Sequence, residues 1–391
     1  MKQVKYYLLT ALLLTASVAN AQTNHWVGSW ATAPEFTGQG DMPKTNLANH
    51  SLREIVKVSL GNKIVRLKLS NEFSKEPVEI RSIYIANAKD SSDIDTKSVK
   101  FVLFNKRKNV VIPAGKAICS DQLKFNLDSL SRISITINYG AKVPVNMTSH
   151  RGSRTTSYIA EGEVKPGKSF RSVEKLDHWY NISALEVLKD ESTHAIAILG
   201  NSITDGRGST TNEQNRWPDY LSDALDGQIG VLNLGIGGNC VIRGGLSQPA
   251  MIRFDRDILG QQGIDKIIIF EGTNDIGTSN GNSEAVAKEL IESYKVLIKK
   301  AKDAGLKVYG ATITPFKGNG WYSHFHDAAR QTVNDWIRTS GAFDEVIDFD
   351  ALVRDPSDVQ KLRKEYSDDW LHLNPTGYEV MGEFAAKKLK N

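Results

Sequence analysis

Residues 195–206 read Ala-Ile-Ala-Ile-Leu-Gly-Asn-Ser-Ile-Thr-Asp-Gly, an apolar run of strand length that stops at Gly200 and delivers Asn201 and Ser202. Such a run reads as a buried strand, and the Gly-Asn-Ser step marks where it leaves its sheet. In open α/β sheets ligands bind at the carboxyl ends of the strands, where the first N–H groups of the next helix can meet developing negative charge. Ser202 therefore stands where a nucleophile is useful. A serine at this point also serves as an ordinary helix cap.

Downstream, strand candidates alternate with helices: His194 to Leu199, Gly230 to Leu234, Lys266 to Glu271, Lys307 to Ile313 and Glu345 to Phe349. Between them, Ser283 to Ala304 places Val286, Leu290, Leu297 and Ile298 on one helical face, with Gly305 just past the end. This alternation predicts a parallel sheet covered by helices on both faces, a three-layer α/β/α domain over 191–391. Upstream the pattern differs. Leu52 to Leu60, Lys63 to Leu69, Val78 to Ala86, Ser98 to Phe104 and Arg132 to Tyr139 are short Val-, Ile- and Leu-rich runs separated by turn residues. They predict an N-terminal antiparallel β-sandwich over 22–190, either a structural companion or a substrate-binding module. Trp26 and Trp30 either pack this region or reach the cleft.

The polar residues at the predicted strand ends fall into four blocks: Gly200-Asn201-Ser202; Asn233 with Gly235, Gly237 and Gly238; Gly272-Thr273-Asn274-Asp275; and Asp369-Trp370-Leu371-His372. Four blocks in this order resemble the SGNH (GDSL-type) serine hydrolase superfamily, over Ile196 to about Ala386. The resemblance implies Ser202 as nucleophile and Asp369 and His372 as its partners. It also implies an oxyanion hole of the Ser202 and Gly238 N–H groups with the Asn274 side chain. One position departs from the usual Gly-Asp-Ser, because Asn201 stands where the family has Asp. Asn201 carries no triad role, so a local change in hydrogen bonding is expected, without loss of activity. Asp275 is expected to hold the loop that carries Asn274.

The chemistry stands beside the resemblance. A serine hydroxyl needs a base, imidazole has a suitable pKa, and a carboxylate three residues earlier can orient Nδ1–H and leave Nε2 facing Ser202. No metal and no organic cofactor is required. His324 and His326 in the loop after Pro315 have a His-x-His spacing, but no third ligand is identifiable nearby. That loop reads better as a wall over the sheet edge. Trp321, Tyr322, Trp370 and Trp217 offer faces for a sugar ring, with Asn319, His324 and Arg207 for its hydroxyls. The expected activity is hydrolysis of short-chain esters, O-acetyl groups on carbohydrate above all, from small-molecule or polysaccharide substrates. The alternatives are a lipid or lysophospholipid acylhydrolase, and a carbohydrate-binding protein whose hydrolase half is inactive.

Composition bounds the remainder. The 391 residues carry 49 basic and 45 acidic side chains, interspersed, with a net charge of +4 and no basic stripe of the kind nucleic acid requires. Lys2 and Lys5 precede an apolar run to Val18, and Ala19-Asn20-Ala21 supplies small residues, which predicts a signal peptide over 1–21 cleaved after Ala21. Export to the periplasm or beyond follows as the expectation, without a membrane anchor. Cys119 and Cys240 are the two cysteines, and their separation argues against pairing.

Overall fold

The computed structural model describes residues 24–390, so the expected leader lies outside the described residues. The strand Ala195–Gly200 lies second, inside one edge, in a five-stranded parallel sheet ordered Gly230–Gly235, Ala195–Gly200, Ile264–Phe270, Lys307–Ala311, Glu345–Ile347. Its alternation is visible in the packing. Ala195, Ala197 and Leu199 enter one buried cluster, and Ile196 and Ile198 enter another on the opposite face. The first face meets the helices Ser283–Asp303 and His324–Thr339 through Leu290, Tyr294, Leu297, Val333 and Ile337. The second meets Trp217–Ala224 and Pro375–Lys390 through Trp217, Leu221, Tyr378 and Met381. Helices thus cover both faces, as the alternation of elements predicts.

The helix Ser283–Asp303 buries Ala287, Leu290, Tyr294, Leu297, Ile298 and Ala301, an i, i+3, i+4 stripe. Val286 is only partly buried. Glu284 in the first turn and Lys300 and Lys302 in the last suit the helix dipole, and Gly305 follows at φ +80°.

The region upstream is mainly antiparallel. One sheet runs Asn24–Ala31, Ile182–Asp190, Asn62–Ser70, Ala117–Cys119, with Leu123–Leu127 also on Asn62–Ser70. The second runs Ser172–Leu176, Ser157–Glu161, His50–Lys57, Arg132–Tyr139, Val78–Asn87, Lys100–Val102, with Val110–Ile112 also on Val78–Asn87. The predicted strand at 98–104 shortens to Lys100–Val102. Asn105 and Lys106 take left-handed φ of 49° and 65° in a tight turn closed between Phe104 and Arg107.

Val27, Leu67 and Val187 from the first sheet share one buried cluster with Val56, Ile83 and Ile135 from the second. That cluster continues into Leu232, Phe254 and Leu297 of the C-terminal half. The two halves therefore share a core. Their backbones also touch: a Cβ on Gly230 would lie 2.3 Å from the Gly28 carbonyl oxygen. Gly28 N donates to Gln262 O at 2.9 Å, and Val231 N to Ser59 Oγ at 3.0 Å. Trp30 packs edge-on against Trp179 at 5.0 Å, and Trp26 lies beneath the Arg66 guanidinium at 4.3 Å, so both tryptophans pack within the N-terminal half. Cys119 is exposed and Cys240 buried, and neither forms a disulfide.

Candidate active site

Ser202 opens the short helix Ser202–Asp205 directly after the strand Ala195–Gly200, with Asn201 as its cap: Asn201 Oδ1 accepts from Ile203 N at 3.1 Å. Ser202 Oγ lies 2.9 Å from His372 Nε2, and His372 Nδ1 lies 2.7 Å from Asp369 Oδ2. With the proton on Nδ1, Ser202 donates to Nε2 and the imidazole donates to Asp369. The other Asp369 oxygen accepts the N–H groups of Leu371 and His372 at 3.0 and 2.8 Å, which closes the turn that the three-residue spacing requires. Burial raises the Asp369 carboxyl, but the hydrogen bonds from the His372 ring and these N–H groups outweigh it, and the group sits below the usual carboxylate range. His372 is held below the usual imidazole value by burial and by the positive charges of Arg207 and Arg154, against the pull of Asp369.

Asn274 lies in the first turn of Thr273–Gly277, after the strand Ile264–Phe270, and its Nδ2 donates to Asn239 O at 2.6 Å. This bond uses one amide hydrogen and leaves the other for a ligand. Asp275 accepts the N–H groups of Val241 and Ile242 at 2.8 and 3.0 Å, so it ties the loop after Gly238 to the Asn274 helix; burial pushes its carboxyl up to about 6. Asn233 holds the first block to the second, donating to Thr204 O at 2.8 Å and accepting from Gly235 N at 3.1 Å.

Ser202, Asp369, His372, Asn274, Gly238 and Trp321 all line one open cleft of about 450 Å³. Gly237 lines it as well, and Gly238 takes φ +70°. Asn319 and Arg207 are part of the wall, and Asn319 Nδ2 donates to Asp369 O at 2.9 Å, which docks the aromatic loop on the turn from Asp369 to His372. Tyr322 and Trp370 fall outside the lining. The Tyr322 hydroxyl bonds Gln360 at 3.0 Å, and Trp370 packs on Gly318 with the Lys361 ammonium 4.7 Å from its ring.

Trp217 corrects the expectation of a fourth stacking face. It is fully buried, edge-on to Phe349 at 5.4 Å, because it opens a helix whose apolar face lies against the sheet. His324 and His326 are occupied locally: His324 Nδ1 lies 3.3 Å from the Tyr322 hydroxyl, and His326 Nδ1 2.6 Å from Trp321 O.

Asn201 Nδ2 donates to Glu271 Oε2 at 3.2 Å. Burial pushes the Glu271 carboxyl up to about 8, against the pull of Arg253, whose Nη2 lies 3.7 Å away. The amide at position 201 thus supplies a donor to an acid that burial keeps protonated near neutrality.

Sequence reasoning missed the contribution of the N-terminal half. Glu35, Arg151, Gly152 and Arg154 line the same cleft as Ser202. Gly152 is required by close approach: a Cβ there would stand 1.9 Å from Asp205 Oδ2. Asp205 in turn pairs with His150 at 2.9 Å, and Glu35 with Arg151 at 2.7 Å. The one signal in the sequence is the cluster His150-Arg151-Gly152-Ser153-Arg154, charged residues around a glycine with no strand alternation.

A parallel three-layer domain with a serine, imidazole and carboxylate in hydrogen-bonded series defines the class of the hydrolase half. Residues 198–380 match the model of the GDSL-like lipase/acylhydrolase family, and this half of the chain is a carboxylic ester hydrolase domain of that family. The chain is 27% identical over 190 residues to the uncharacterized lipoprotein YqeF of Bacillus subtilis, a match covering 46% of this chain and 71% of that protein. It resembles the crystal structure of a GDSL-like lipase from Bacteroides thetaiotaomicron, with 19% identity, TM-score 0.40, and coverage of 50% of this chain and 87% of that one. It also resembles an acetylxylan esterase from Geobacillus stearothermophilus, with 17% identity, TM-score 0.39, and coverage of 50% and 94%.

Proposed function

We propose that the protein is an exported serine esterase that removes short acyl groups, O-acetyl above all, from carbohydrate, through an acyl-enzyme on Ser202. The observation that carries the reading is the series Ser202 Oγ, His372 Nε2, His372 Nδ1, Asp369 Oδ2, linked at 2.9 and 2.7 Å on the wall of an open cleft. In this reading His372 takes the Ser202 proton as Oγ adds to the ester carbonyl, and Asp369 stabilises the imidazolium. The Ser202 and Gly238 N–H groups and the Asn274 amide receive the oxyanion. His372 returns the proton to the leaving alcohol. Water, deprotonated by the same imidazole, then releases the acid. Trp321 supplies the sugar face, and a cleft this open does not enclose a long acyl chain. The N-terminal strands, read as a sandwich-like domain over 22–190, complete the cleft with Arg151 and Arg154.

The test is acetate release from acetylated oligosaccharides beside aryl esters of rising chain length, for the parent and Ser202→Ala. The expectation is turnover that falls from acetyl to octanoyl, since each methylene left in water forgoes about 0.8 kcal/mol. Ser202→Ala is expected to fold, lose turnover and escape fluorophosphonate labelling. A profile rising toward octanoyl with no acetate from any glycan would point to a lipid acylhydrolase. Labelling that persists in Ser202→Ala would move the nucleophile elsewhere.

A further inference from the structure

Three guanidiniums line the Ser202 cleft: Arg151 and Arg154 from the N-terminal half, and Arg207 just after the Ser202 helix. They are not equivalent. Arg151 is committed, with Nε and Nη2 donating to Glu35 Oε2 at 3.2 and 2.7 Å. Arg207 is exposed, and its side chain makes no ion pair or hydrogen bond among the described residues. Arg154 comes no closer to a carboxylate than Asp205 Oδ2, 3.6 Å from its Nη2, beyond hydrogen-bond reach. Its Nε is buried with no acceptor.

The acids of the cleft are already taken. Glu35 is held by Arg151, Asp205 by His150 at 2.9 Å, and Asp369 by His372 at 2.7 Å. Among the described residues Arg207 is therefore left without a counter-ion, while Arg154 shares Asp205 with His150 through an ion pair at 3.6 Å that makes no hydrogen bond. Both arginines also bear on the reacting end of the cleft, since Arg207 and Arg154 each disfavour the protonated form of His372. A buried donor without an acceptor costs free energy unless a ligand satisfies it, and Arg154 holds a left-handed φ of 49° that a non-glycine residue adopts at a cost.

We propose that Arg154 and Arg207 bind a carboxylate on the alcohol portion of the substrate, so that the preferred substrate is an acyl ester of an acidic sugar, a hexuronic acid residue, and not of a neutral one. The planar fork of a guanidinium matches a carboxylate, and two of them lining one cleft fix its orientation as well as its charge. The bound carboxylate also offsets the repulsion the two arginines exert on His372, so that it favours imidazolium formation as Ser202 attacks the ester. This rests on the esterase reading above and adds the identity of the alcohol.

The experiment compares kcat/KM of the full chain on a mono-O-acetyl methyl glucuronoside, the matching acetylated methyl glucoside, and an aryl acetate. The expected result is a preference for the uronate on the order of tenfold, which falls toward unity in Arg154→Gln and Arg207→Gln and is partly kept in Arg154→Lys. The ratio of the two sugar esters is the readout, so a general loss of folded enzyme does not imitate it. Equal turnover of uronate and glucoside by the parent overturns this proposal and leaves the esterase reading intact. A preference that survives both glutamine substitutions overturns the assignment to these arginines. Preference for an aryl hemisuccinate over an aryl butyrate without one for the uronate overturns it too, since the anion then belongs to the acyl group. Failure to hydrolyse any of the esters, aryl acetate included, overturns both readings.

Discussion

At the scale of single residues, the proposed chemistry depends on where protons sit. Burial and the nearby Arg207 and Arg154 hold His372 below the ordinary imidazole value, so the neutral base persists to lower pH than a free histidine would allow. The acid limb of kcat/KM on aryl acetate is expected below pH about 6.5, and Arg207→Gln is expected to move it upward. A limb unmoved by that substitution would take Arg207 out of the field at His372. Asn274→Ala is expected to lower kcat by roughly a hundredfold with a smaller change in KM, because a donor to the oxyanion matters most in the transition state. A rise in KM alone would make Asn274 a binding residue instead.

At the scale of elements, the end of the strand Ala195–Gly200 meets the end of its neighbour Ile264–Phe270 through Asn201 and Glu271, 3.2 Å apart. An acid raised from about 4.5 to about 8 by burial keeps its proton in the folded state after the unfolded chain has lost it. Folding then takes up a proton across that window, and the stability linked to Glu271 declines as pH rises through it. Asn201→Asp installs the residue usual at this position and sets a second carboxylate against the first, so the pair must share a proton. The expected outcome is a melting temperature that falls more steeply than the parent's between about pH 5 and pH 8.5, with aryl acetate turnover retained at the acid end. Parallel pH profiles of parent and variant would show that Glu271 does not sense position 201.

At the scale of the whole molecule, the two halves are one packed unit. The buried cluster runs from Val56 and Ile135 through Val27 to Leu232 and Phe254, and the cleft takes residues from both sides. Separating them would expose several such side chains, each worth about 1.5–3 kcal/mol, against a total stability of only about 5–15 kcal/mol. Residues 191–391 expressed alone are accordingly expected to lack a cooperative melt and to show little fluorophosphonate labelling. A sharp melt with parent-like turnover of aryl acetate would make the halves independent.

What the sequence determined by itself is what local patterning and short spacing encode. The Ala-Ile alternation of residues 195–199 specifies a strand buried on both faces, and the stripe of Ser283–Asp303 specifies its covering helix. The three-residue interval from Asp369 to His372 is closed by hydrogen bonds within a single turn, so it is readable without the fold. Tertiary structure alone decided which distant groups share the cleft. Trp217 looks like a stacking surface in one dimension, but its helix turns it into the core. Arg151 and Arg154 carry no periodic signal, yet the strand Asn24–Ala31 packs against the hydrolase sheet, and close approach at Gly152 sets His150 against Asp205 and these arginines beside Ser202. Such contacts span dozens of residues in sequence, and only packing of the shared core brings their partners together.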